Sequence, residues 1–382
     1  MIQRLIAIFR KELRESLRDK RSLTAAATFA IAGPVLVAGM LSIVADKQTR
    51  TEPIEVAVTG ATHAPDLIAF LTGQDVIVEA PDAATDVRMV IPVDYGTRFA
   101  EGRLIRIEVI ADRSRTGARR DASRVERLIT TYSAELGQLR LLMRGVAPSV
   151  VRPVVVDGKD TASAEARSTT VLGLLGIYFL LAAFVGSMAV AIDSSAGERE
   201  RNSLEVLMAQ PVSPLAVFSG KWVNALLFGT LGIAMALLAS RLAFSQVPLT
   251  QIGITWSLDA TAMGLMLLGL LPLAGFAAAL QLSLAMWAKT FKEASAYLNM
   301  LSFIPAIVAF VVVFQEIEPE TWMYAVPVLG HQQMLTTMMR AEPLSLADIV
   351  LLTSGTGAIT AAIIFAGARM LTRERIVFGQ LD

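Results

Sequence analysis

Polar and apolar positions follow three different rhythms along this chain. From Met1 to Ser22, the residues Ile2, Leu5, Ile6, Phe9, Leu13 and Leu17 fall on one helical stripe, while Arg4, Arg10, Lys11, Arg14, Arg18, Lys20 and Arg21 occupy the rest. That is the pattern of a helix lying on an anionic membrane surface. The apolar residues then become continuous in six runs: Leu23 to Val44, Thr170 to Ile192, Trp222 to Phe244, Leu258 to Ala288, Leu298 to Phe314 and Ala347 to Met370. A helix crosses the hydrocarbon layer with ~17–25 such residues, so the pattern predicts six transmembrane helices. The first run follows a basic start, as a signal peptide would, but it exceeds the usual apolar region of one and is read as an uncleaved span. The fourth is longer than a bilayer requires and contains Pro272, which predicts a kink or a break into two segments.

The third rhythm belongs to a polar insert between the first two runs. Short β-like stretches occur at Ile54 to Val58, Val76 to Val78, Arg88 to Ile91, Leu104 to Ile110 and Val154 to Val156, with helical patterns at Pro65 to Thr72 and Ala118 to Arg144. They predict an α/β domain with its own small core. The chain thus divides into an interfacial helix over 1–22, a first span over 23–45, the α/β domain over 46–168 and five further spans over 169–382. A mixed loop over 315–346 is predicted either to re-enter the membrane as a hairpin or to lie on its outer face.

Composition agrees with the pattern. Of 382 residues 54% are hydrophobic and 18% charged, against about 25% charged in soluble domains, and the mean hydropathy is +0.56. The fold class is therefore an α-helical integral membrane protein. The formal net charge is zero, so no basic field argues for nucleic acid. Orientation follows from the short connections: Arg199, Arg201 and Lys221, then Lys289 and Lys292, then Arg373 and Arg375 lie on the side of the basic N-terminus, whereas the opposite short loops carry only Arg241 and Arg340. Both termini are predicted to be cytoplasmic in a cell inner (plasma) membrane, with the α/β domain extracytoplasmic. The 17 Lys/Arg and 18 Asp/Glu of residues 46–168 do not oppose this, because long loops translocate largely regardless of charge.

Chemistry is sparse. Cysteine is absent, and His63 and His331 are the only histidines, which argues against a metal site; His331 reads as a structural residue. No Gly-x-x-x-x-Gly-Lys-Ser/Thr phosphate loop, Gly-x-Ser-x-Gly elbow or His-Glu-x-x-His motif occurs, so neither direct ATP binding by that loop nor catalysis is expected. Charges inside the spans are scarce. The polar residues there, Asn224, Gln281, Ser283, Asn299 and Ser302, either bond between helices or line a translocation path. Small-residue spacings such as Ala182-x-x-x-Gly186, Gly357-x-x-x-Ala361 and Ala358-x-x-x-Ala362 permit close helix packing, within the chain or across a dimer.

One charged segment between two spans stands out, Gly197-Glu-Arg-Glu-Arg-Asn-Ser-Leu-Glu-Val-Leu-Met208. Ser195-x-x-Glu198 is spaced to cap a helix and Pro211 to end one. Leu204, Leu207 and Met208 would share a face, and Glu198 with Arg201, or Arg201 with Glu205, would pair along the other. The alternative is a solvated loop whose charges serve topology alone.

The order of elements, together with Gly197 to Val212, resembles the type-2 ABC exporter permeases, and within them the sodium-efflux (Nat-type) branch. The family pattern is approximately Gly-Glu-Lys/Arg-Glu-Arg-Gly-Thr-Leu-Glu-x-Leu-Leu-x-x-Pro-Val/Ile, followed nine residues on by Gly-Lys; here Asn202, Ser203 and Met208 depart from it, and Gly220-Lys221 is in place. The resemblance implies a homodimeric permease that is not itself an enzyme. It would recruit two copies of a separate ATPase subunit, which binds ATP and Mg. A coupling helix over about 195–210 would carry Glu198, Arg199, Glu200, Arg201, Leu204, Glu205 and Leu207, with Arg201 and Glu205 making polar contacts and Leu204 and Leu207 the apolar anchor. Sodium export is the activity it suggests. Export of lipid, polysaccharide or drug, or a mechanical transmitter that transports nothing and acts on an envelope partner, are the alternatives; a membrane enzyme acting on lipid-linked substrates is disfavoured by the missing catalytic residues.

Overall fold

Inside lipid no water serves the backbone, so a spanning segment must satisfy its own N–H and C=O groups, and the apolar runs fold as helices. The computed structural model describes residues 2–49, 53–150, 164–249, 258–315, 317–340 and 342–372. Six helices are long and apolar enough to cross a membrane, over Lys20–Ile43, Gly173–Glu200, Pro214–Phe244, Ala260–Trp287, Phe291–Phe314 and Leu346–Met370. The chain forms two compact units, one of Met1–Asp46 with Ala162–Asp382 and one of Lys47–Thr161.

The first unit opens with α1 (Ile2–Arg18) and α2 (Lys20–Thr49). Asp19 separates them and accepts from the backbone N–H of Ser22 at 3.2 Å, as an N-cap does. The second unit holds β1 (Ile54–Thr59), α3 (Pro65–Thr72), β2 (Val76–Glu79), β3 (Val87–Val90), α4 (Tyr95–Glu101), β4 (Glu108–Ala111) and α5 (Thr116–Met143). Its sheet runs in the order β2-β1-β3-β4, with β1 parallel to both neighbours and β4 antiparallel to β3. The core gathers Val56, Val58, Leu67, Leu71, Met89 and Val125 from the sheet, α3 and α5. Leu104 to Ile107 stay outside the strand expected over 104–110, and Val154 to Val156 lie outside the described residues.

The first unit resumes with α6 (Ala164–Ile192), which ends in a π-turn over Asp193–Gly197. It continues through α7 (Glu198–Glu200), α8 (Ser203–Met208), α9 (Pro214–Phe244), α10 (Ala260–Trp287), α11 (Phe291–Phe314), α12 (Leu329–Met339) and α13 (Leu346–Met370). At the centre stands α6. Its apolar window is 67% buried, against 28% for α2 and α11 and 17% for α13, and it packs on α9, α10, α11 and α12. The small-residue spacing Ala182 to Gly186 is used within the chain, since a Cβ on Gly186 would meet the backbone of Phe228 and Gly229. The corresponding face of α13 at Gly357, Ala358, Ala361 and Ala362 is exposed.

One expectation changes. No break occurs at Pro272: α10 runs through it as one helix; three residues on, Trp222 of α9 donates its ring N–H to the Gly275 carbonyl at 2.8 Å. The loop over 315–346 contains α12. Gly330 to Thr337 of α12 are all buried, and α12 packs among α6, α10 and α11. Its entry is a γ-turn at Val328 (φ 69°), closed by Leu329 N–H donating to Pro327 C=O at 2.9 Å. Neither ring nitrogen of the buried His331 finds a partner, and burial pushes its pKa down to about 3, which keeps the ring neutral.

Candidate functional site

The charged segment after α6 folds differently from one continuous helix. Ser195 does not cap anything; its hydroxyl donates back to the Ala191 carbonyl at 2.5 Å and Ser194 to Val190 at 2.6 Å, inside the π-turn. Back-bonding serines bend helices, and π-turns recur where a helix is re-aimed for function. After α7 the chain reverses at Asn202, whose φ of 54° is left-handed, and α8 follows. Glycine adopts that conformation freely and asparagine is the commonest substitute, which accounts physically for Asn202 standing where the family pattern has Gly.

Most of the segment's side chains point into the helical unit itself. Glu198 is buried and takes the Lys221 ammonium at 2.6 Å; Lys221, fully buried, also donates to Glu12 at 2.7 Å, and Lys11 pairs with Glu198 and, at 3.2 Å, with Glu12. Two lysines and two carboxylates thus close an almost dry cluster whose charges cancel, the condition under which buried ions are tolerated. Glu12, Glu15 and Glu198 are close enough to share a cation, yet the Lys11 and Lys221 ammonium groups already serve that position. Arg199 donates to the carbonyls of Met286 and, at 2.6 Å, Ala288 at the end of α10, and Glu200 accepts from the Phe291 N–H at 2.7 Å at the start of α11. Arg201 pairs with Asp193 at 3.0 Å instead of Glu198 or Glu205. Leu204 lies wholly inside the core with Leu282 and Leu298, so it does not stand outward as an anchor. Val206 is the outermost apolar residue at 66% exposed, with Glu205 and Leu207 half-buried beside it. A cavity of about 660 Å³ opens between α1 and α8, lined by Lys11, Glu15, Arg18, Arg201 and Val206 among others.

The N-terminal helix is fastened along a ladder. A Cβ on Gly220 would collide with Ile8, so glycine lets α1 and α9 touch. One residue on, Lys221 meets Glu12, and a further turn on Asn224 donates to the Ser16 hydroxyl at 2.9 Å. Arg4 adds a bond to the Pro211 carbonyl. Asn224 is therefore part of this attachment. Gln281 bonds to Ser187, accepting its hydroxyl at 2.8 Å, and donates to the Phe184 carbonyl at 2.9 Å. Ser302 donates to Leu298 C=O at 2.8 Å and Asn299 to Ser295 C=O at 2.7 Å, while the Ser283 hydroxyl is buried without a partner. No two of these five polar residues bond to each other.

Sequence reasoning did not single out Lys11, Glu12 or Lys221 as site residues. Lys221 sits just before the run drawn from Trp222, and Glu12 is set within a surface-helix pattern; the signal available was the Gly220-Lys221 pair, whose two residues serve one contact.

An ABC-2 family transporter protein model matches residues 6–372. The ABC transporter permease protein NatB of Bacillus subtilis (strain 168) is 25% identical over 382 residues, covering 95% of this chain and 96% of the relative. No solved structure matches. With six apolar helices around a charged junction and a family match over nearly its whole length, the chain belongs to the ABC-2 family of transporter proteins and is a permease of that family.

Proposed function

We propose that the chain is the transmembrane subunit of an ATP-driven exporter. It works as a homodimer in the cell inner membrane with both termini cytoplasmic and the α/β unit extracytoplasmic, and it is driven by two copies of a separate ATPase subunit that holds ATP and Mg. The observation that carries this reading is the junction. Glu198, Arg199 and Glu200 tie the segment after α6 to α1, α9, α10 and α11 at once, so a force applied to α8 moves the block as a whole. What α8 leaves for a partner is Glu205, Val206 and Leu207. Glu205→Lys combined with Val206→Asp is expected to abolish co-purification with the ATPase while the permease stays folded; an undiminished complex and turnover would overturn the assignment.

Sodium ions are the cargo suggested by the resemblance. The scatter of the five polar residues favours considering a second reading, the mechanical transmitter, in which ATP hydrolysis works on the α/β unit and nothing crosses. ATP-dependent sodium flux in proteoliposomes separates the two: flux supports export, and hydrolysis without flux of any tested cargo supports transmission.

A further inference from the structure

We propose that Arg10, Arg14 and Arg18 of α1 bind anionic phospholipid headgroups, and that this contact sets the position of α8 through Glu12, Lys221 and Glu198. The consequence for transport rests on the reading of α8 as the drive point; the lipid contact itself does not.

Residues four apart lie ~40° apart around a helix and residues two apart ~200°. Ile8, Glu12 and Ser16 form the stripe that faces α9, so Arg10 and Arg14 stand on the opposite side and Arg18, one turn on, borders the cavity toward α8; all three are exposed. Ile6 (42% exposed) and Leu17 (55%) flank the arginines, which places apolar side chains beside cations in the arrangement that suits an acyl-headgroup boundary. The acids of α1 are turned elsewhere. Glu12 goes inward to Lys221, Glu15 pairs with Lys11 at 3.1 Å, and Asp19 caps α2. Among the described residues no carboxylate pairs with any of the three arginines, so an unneutralised positive stripe remains, and its complement is an anionic surface. The opposite edge of the same rigid helix holds the cluster that fixes Glu198. Pinning α1 therefore restrains the start of the segment that carries α8.

The chain has no cysteine, so single labels report cleanly. Ala7→Cys on α1 and Val206→Cys on α8 would each carry an environment-sensitive fluorophore in the full chain, reconstituted in phosphatidylcholine vesicles with or without phosphatidylglycerol. Anionic lipid is expected to shift the emission at 7 to the blue and to reduce quencher access at 206. Arg10→Gln, Arg14→Gln and Arg18→Gln together are expected to abolish both responses. Glu12→Ala, which removes the acceptor for Lys221, is expected to keep the first and lose the second. Equal spectra in both vesicle types, an unaltered response in the triple variant, or a response at 206 that survives Glu12→Ala would each overturn the proposal. So would a response at 7 that appears only when the ATPase subunit is added, since the partner of the stripe would then be protein. If both labels respond as expected but no ATPase binds, the lipid contact stands and the exporter reading falls.

Discussion

At the residue scale, a lysine buried between two carboxylates is costly to dismantle by halves. Lys221→Met would leave Glu12 and Glu198 with Lys11 alone, and the loss expected is about 3–5 kcal/mol. Glu12→Gln keeps an acceptor for Lys221 and removes one buried charge, so about 1 kcal/mol or less is expected. Thermal unfolding in detergent measures both, and equal effects would contradict the arrangement. The pH dependence has a definite sign. Burial pushes the Glu12 carboxyl above its ordinary range, against the pull of Lys221 and Lys11 and with the Glu198 charge adding to the push. Folding thus disfavours ionised Glu12, a cost present above its folded pKa and relieved as pH falls through it, so the wild type should gain on Glu12→Gln and the gap between them should widen on acidification. Burial alone would lower the Lys11 pKa, but Glu12 and Glu198 more than reverse it. Its contribution is complete below the ordinary lysine value of ~10.4, so the cost of Lys11→Met should stay constant through the neutral range. At Asn202 the backbone decides: Asn202→Gly should melt with the wild type, while Asn202→Val should cost about 1–2 kcal/mol.

At the element scale, hydropathy located the membrane helices because lipid leaves the backbone one solution, and alternation located the strands that begin at Ile54, Val76 and Val87 because their inward residues meet a sheet core. The junction was less legible. Helical periodicity over 195–210 carries no sign of the π-turn or of the left-handed Asn202, since both depend on single backbone angles. The burial of α12 was hidden for another reason: its Gln332, Gln333, Thr336 and Thr337 read as polar, yet all four are buried. The α1 ladder gives the test at this scale. Gly220→Val should push Ile8 away and free α1, seen as increased mobility of a spin label at Ala7→Cys with helix content unchanged; an immobile label would show that Gly220 is not what admits α1.

At the scale of the whole molecule, the junction belongs to one compact unit and the sheet to the other. Replacing Lys47–Thr161 with a flexible linker should leave ATPase co-purification intact, because every residue assigned to that contact lies outside the replaced stretch; loss of the complex would place the α/β unit in it. Sodium flux that survives the replacement would favour export over transmission. The Glu12–Lys221 contact joins positions 209 residues apart, and that separation is also an interval of time. At ~5–20 residues per second of synthesis, α1 waits about 10–40 s for its lysine to emerge. α1 thus leaves the ribosome well before the helix that secures it, and until then Glu12 has no buried partner.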